Sequence, residues 1–182
     1  MTRLIVVALL VSSFALPAQE TRREVVHHAA NPADDTRLNN PLVPDVYAIT
    51  AHLQRIVILR FKYDTDLLAG LQREIREQKI RNAVILSAVG SVRNYQVHQV
   101  GNRNLPPKDV FVKNPTAPAD IIGMSGLVMD GRVHPHITLA NDDKAFGGHL
   151  EPGTTVFTFA IVTLGVLDGN LNLSRLDDWN YR

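Results

Sequence analysis

The sequence predicts one domain of the α/β (α+β) class, in which a single amphipathic helix is followed by a run of β-strands. Three observations carry that expectation. A strand-like run with branched and aromatic residues, Arg55 to Tyr63, is followed at once by a helix-capping signal and a helical apolar period. From Ala83 onward the apolar residues come in short runs or alternate, as strands require. Asp130-Gly131 stands between two such runs, the two-residue spacing of a hairpin turn. The 182 residues, 45% apolar and 20% charged, suffice for one ordinary core and exclude a multidomain machine.

The elements follow in order. Arg3 precedes an apolar run, Leu4 to Val11, then Ser12, Ser13 and Phe14-Ala15-Leu16-Pro17-Ala18, so residues 1–18 read as a secretory signal peptide cut after Ala15 or Ala18. The run is too short to span a bilayer, and its removal predicts a secreted or periplasmic protein without a transmembrane anchor. Residues 19–45 are polar and broken by Pro32, Pro41 and Pro44, which predicts a flexible arm. The folded domain is expected over 46–182. Asp64 or Thr65 can cap a helix whose face is Leu67, Leu68, Leu71 and Ile75, ending near Ile80. Ala83 to Val89 reads as a buried strand, broken by Gly90-Ser91 before an alternating segment, Val92 to Val100. Loops follow around Asn102 to Pro107 and Asn114 to Pro118, then strands over Ile121 to Met129 and Arg132 to Ala140. Asn141 to Lys144 turns, Ala145-Phe146 is a short strand, and Glu151-Pro152-Gly153 leads into a long strand, Thr154 to Leu167. Asp168-Gly169 turns once more into Leu171 to Leu176, and Trp179 and Tyr181 close the chain, expected to pack against the sheet or to be disordered.

Composition restricts the chemistry. With no cysteine, disulfides, thiolate catalysis and cysteine-ligated metals are excluded, so a metal site must use His or carboxylate. Nineteen Lys and Arg against 18 Asp and Glu give a net charge of +1, which opposes a nucleic-acid partner held by phosphate neutralisation.

The seven histidines carry the informative pattern. Alternate residues of a strand share a face, so His134 and His136 project together while Val133, Pro135, Ile137 and Leu139 face the core. Pro135 removes a ladder donor and predicts an edge or an open rim. His149 lies after a turn long enough to return it beside the pair, and Gly147-Gly148 permits a close backbone approach next to it. Three neutral imidazoles with a fourth position open match the ligand count of catalytic zinc sites, and other divalent ions accept the same donors. The plain alternative is three hydrogen-bonded rim histidines. A cupin-type site fails, because the positions four and five after His136 are Ala140 and Asn141 rather than Glu. Asp142, Asp143 and Glu151 are candidates for a general base or a ligand-orienting acceptor, with turn residues as the simpler reading. His98 can approach the site from its strand, whereas adjacent His27 and His28 diverge and read as solvated. Arg93, Asn94 and Tyr95 are candidates to line a cleft between subunits.

The segment from Ile121 to Leu164, with its H-x-H, its Asp-rich turn, G-G-H-L and a long following strand, resembles the core of the plant-and-prokaryote-conserved (PPC) domain. Upstream, RFKYDTDLLAGLQREIREQKIRNAVILSAVGSV resembles that family's strand, helix and strand ending in G-S-V, so the likeness covers about residues 54 to 176. The resemblance implies a mostly antiparallel sheet flanked by helices and assembled as a homotrimer. It also implies a zinc ion, or another divalent transition metal, on His134, His136 and His149. Two departures matter. Ala160-Ile161 stands where many members have Glu-Val, and the Arg-Gly-Arg-Pro hook by which plant members bind DNA is absent. Three functions therefore compete: a secreted trimeric metal-binding module with room for a small-molecule ligand at the metal, a metal-dependent hydrolase or lyase, and a DNA-binding protein, the last opposed by charge and by the missing hook.

Overall fold

A computed structural model describes residues 22–26, 40–168 and 170–178. The proposed signal peptide, His27, His28, Trp179 and Tyr181 lie outside the described residues. The strands are β1 (Arg22–Val26), β2 (Leu53–Lys62), β3 (Ala83–Val100), β4 (Asp109–Asn114), β5 (Ala119–Met129), β6 (Arg132–Ala140), β7 (Ala145–Leu150) and β8 (Thr155–Leu167). The helix α1 spans Leu67–Glu77, and a 3-10 turn spans Ser174–Asp177. All strand pairings are antiparallel. The expectation of helices flanking the sheet is corrected to one α-helix among the described residues.

The 18-residue β3 is the spine of the sheet. Along one edge β4 pairs with Tyr95–Val100 and β5 with Ala83–Val92, end to end. Along the other edge β7 pairs with Val97 and His98, and β8 with Ala83–Asn94. Strand β6 pairs with both β5 and β7, so β3, β5, β6 and β7 form a closed circuit, while β2 extends the sheet beyond β8. Gly90 does not end the strand as its sequence context suggests. At φ 140° it bends β3 where a side chain would meet the carbonyl oxygen of Phe159, and pairing with β8 continues past it.

Strand β4, DVFVKN, lies between the two expected loops and is an addition to the sequence reading; its alternation is too short to stand out. Arg22–Val26, within the segment read as an arm, pairs with β4 from Val26↔Asp109 to Arg22↔Lys113. The Asp130-Gly131 turn is as expected, with φ 51° and 79° at its two residues.

The helix starts later than expected. Asp66, not Asp64 or Thr65, is the N-cap, its Oδ1 accepting from Ala69 N at 2.9 Å, while Asp64 takes a positive φ in the preceding turn. The other oxygen of Asp66 accepts from Gly153 N at 2.6 Å, joining the helix start to the turn between β7 and β8. Leu67, Leu68, Leu71 and Ile75 are buried with the inner faces of β2, β3 and β8, including Leu59, Phe61, Ile85, Val162 and Leu164. A smaller cluster of Met129, Leu167 and Leu173 pins the C-terminal segment. Among the described residues no helix is long and apolar enough to cross a membrane.

Strand β7 passes between β6 and β3 only because two of its residues lack a side chain. A Cβ on Gly147 would stand 2.1 Å from the carbonyl oxygen of Ile137, and one on Gly148 would stand 2.3 Å from that of His98. Backbone cannot yield as a flexible side chain does. Gly147→Ala is therefore expected to destabilise the protein by about 1–3 kcal/mol, read as a lower urea midpoint at unchanged slope; an unchanged midpoint contradicts the close approach.

Candidate metal centre

The site is built by register. His136 pairs with His149 across β6 and β7, and His149 pairs with His98 across β7 and β3, so three imidazoles stand in one cross-strand row. His134 shares the face of His136, two residues along β6. Pro135, Ile137 and Leu139 are buried on the opposite face and Val133 is half-buried there, as the alternation predicts. The β6–β7 pairing runs from Ala140 to His136 and no further, which leaves Pro135 and His134 at an open rim on that edge.

His134, His136 and His149 each bring one ring nitrogen to a cluster in which all three lie within 4.8 Å of one another. The Nε2 atoms of His134 and His136 are 3.3 Å apart. Two nitrogens at ~2.0 Å from one zinc ion at a tetrahedral angle stand about 3.3 Å apart, so this pair already has the required spacing. The His149 ring meets both others edge-on, at 86° to His134 and 83° to His136. Three imidazole donors, sharing one face at the rim of the sheet, fit a borderline divalent ion with at least one position left for another ligand.

The electrostatics suit the same role. The pKa of His149 is lowered from 6.5 to about 4, first by burial and then by His98, His134 and His136, with Asp177 opposing. That of His136 is lowered too, by loss of solvent and then by His134 and His98. Both rings are neutral at pH 7, the form in which imidazole binds a metal.

His98, expected only as a residue able to approach the site, is part of it. Its ring stacks on His149 at 4.6 Å between centroids and 23° between planes, with Phe111 at 4.9 Å. Its Nδ1 is 2.5 Å from Glu151 Oε1, and Asp109, almost wholly buried, lies 3.4 Å from Nε2. Glu151 is thus more than a turn residue. Asp142 and Asp143 are exposed in the turn after β6, where Asn141 Oδ1 accepts from Asp143 N at 3.1 Å, and they do not join the cluster. Two carboxylates were missed by the sequence reading. Asp109 opens β4, and Asp177 lies 3.2 Å from His134 Nδ1 although it is 43 positions away along the chain. No motif marks either; contacts of Asn82 and Leu173 help bring the C-terminal segment back over β6. Arg93 bonds to Tyr63 and Asp64, and Tyr95 is buried in the core, both away from the cluster.

The family profile of the Plants and Prokaryotes Conserved (PCC) domain matches residues 49–168. Among solved structures, the metal-containing protein AF0104 from Archaeoglobus fulgidus is 25% identical with a TM-score of 0.54, over 68% of this chain and 87% of that one. A plant- and prokaryote-conserved (PPC) protein from Pyrococcus horikoshii is 23% identical with a TM-score of 0.55, over 69% and 87%. A bifunctional protein GlmU from Synechococcus is 31% identical over 114 residues, 60% of this chain but only 16% of that protein's length.

Because His149 binds a proton less readily when folded than an unfolded histidine does, the unfolded chain holds more protons between pH 6.5 and about 4. The stability this group contributes is complete above pH 6.5 and is lost as pH falls through that window. In metal-free protein, denaturation midpoints of wild type should fall more steeply over that interval than those of His149→Phe; parallel curves contradict the low pKa.

Proposed function

The chain belongs to the Plants and Prokaryotes Conserved domain family, and on that premise we propose that it is a trimeric metal-binding module holding zinc, or a related divalent transition metal, on His134, His136 and His149. The convergence of three imidazole nitrogens within 4.8 Å carries this reading. The metal-containing protein from Archaeoglobus, alike in fold, supports it. The three rings supply neutral donors, and a fourth position is left for water or a small-molecule ligand.

Self-association is supported by an apolar face on the outer side of the sheet. Ile56 and Ile58 of β2, Phe159 of β8, Leu86 and Val89 of β3 and Ile122 of β5 are all exposed in the single chain. The β2–β8 and β3–β8 registers put Ile58 opposite Thr163, Lys62 opposite Phe159 and Val89 opposite Ile161, so Ile56, Ile58, Phe159 and Val89 share one face of the sheet. A chain without cysteine gains stability most directly by covering such a face. Export through residues 1–18 belongs to the same proposal.

A second reading is a metal-dependent hydrolase or lyase, favoured by the Glu151–His98 pair beside His149. A divalent ion on the cluster would supply a polarised water, and Glu151 with His98 is the carboxylate–imidazole pair on hand to accept a proton.

Purified protein should carry about one zinc or similar ion per chain, and His136→Ala should lose it; metal-free wild type, or a variant that keeps its metal, overturns the proposal. Turnover of an ester, phosphoester or hydratable substrate that vanishes in His136→Ala would support the second reading, and a metal-loaded protein inert across such a panel counts against it. Light scattering should give a trimer mass, reduced to that of one chain by Ile58→Asp.

A further inference from the structure

Asp177 sets a carboxylate beside His134 from far along the chain. Its Oδ1 is 3.2 Å from His134 Nδ1, and its Oδ2 is 3.7 Å from Arg132 Nη1, on the same strand as His134. The position is built rather than incidental. Leu173 is buried against Met129 and Leu167. Asn172 Oδ1 accepts from Ser174 N at 3.0 Å and Ser174 Oγ at 2.6 Å, shaping the 3-10 turn. Asn82, itself buried, donates from Nδ2 to Leu171 O at 2.8 Å and accepts from Asp130 N at 3.1 Å, tying the C-terminal segment to the hairpin that begins β6.

A neutral imidazole carries one proton, on either nitrogen. An ionised carboxylate beside Nδ1 can only accept, so it favours the ring with the proton on Nδ1 and the lone pair on Nε2. The Nε2 atom of His134 is the one that faces His136, 3.3 Å away. We propose that Asp177 is a positioning residue of the metal centre: it fixes the tautomer and rotation of the His134 ring so that Nε2 presents its lone pair to the ion. The site therefore needs the C-terminal turn as well as the two strands that carry its ligands. This inference rests on the metal reading above for its consequence, but its structural content concerns the ring alone.

The test compares full-length wild type, Asp177→Ala and Asp177→Glu. Long-range nitrogen-15 correlation spectra of the metal-free proteins should show His134 protonated on Nδ1 in wild type and chiefly on Nε2 in Asp177→Ala. Zinc affinity, read by competition with a chromophoric chelator, should weaken about 10–100-fold in Asp177→Ala and recover most of that loss in Asp177→Glu. The same His134 tautomer in wild type and Asp177→Ala overturns the proposal, as does an unchanged zinc affinity in a wild type that binds zinc. A wild type that takes up no zinc overturns the metal reading instead, and the tautomer comparison still decides the role of Asp177.

Discussion

The close passage of β7 between β6 and β3 is the constraint on which the rest of the structure depends. Neighbouring strands ordinarily leave room for side chains above and below the sheet, but here the curvature of the circuit aims a missing Cβ straight at a carbonyl on either side. Only with Gly147 and Gly148 can β6 and β3 share one intervening strand, and only then does the β3–β5–β6–β7 circuit close. Closure also puts His149 between His136 and His98. The G-G-H sequence is thus one device with two effects, a backbone permission followed at once by the imidazole it positions.

Much of this was legible in the sequence, for reasons that differ between elements. Arg132–Ala140 is read correctly to the residue because its alternation is long and Asp130-Gly131 fixes where the hairpin turns. The helix was legible from four apolar residues on one face, though Asp66 outcompeted its neighbours as cap because it alone is placed to bond both Ala69 N and Gly153 N. Gly90 misled, since a glycine that bends a continuous strand looks like one that ends it. The three converging histidines were legible from strand periodicity and from family likeness. His98 and Glu151 were legible as candidates beside the histidines, but their mutual contact and the places of Asp109 and Asp177 come from cross-strand register and a return of the C-terminal segment, neither of which leaves a local pattern.

The low pKa of His149 and the carboxylates around the cluster answer opposite needs. Burial and the crowding of neighbouring imidazoles lower the pKa of His149 and His136 and keep these inner rings neutral, the form able to ligate a metal. Asp177 and Glu151 approach from behind, at nitrogens turned away from the ring-to-ring contacts or one ring removed from them. Charge is thereby kept out of the cluster's interior and supplied at its back.

Asp66 carries a different kind of consequence. One carboxylate serves as both the cap of α1 and the acceptor for Gly153, in the turn that also holds Glu151. Leu67 N bonds to Thr154 O at 2.8 Å and Val156 N to Thr65 O at 2.9 Å on either side of it. The first turn of the helix cannot fray without releasing the turn after His149, so the two segments form a single cooperative unit whose amides open to solvent together.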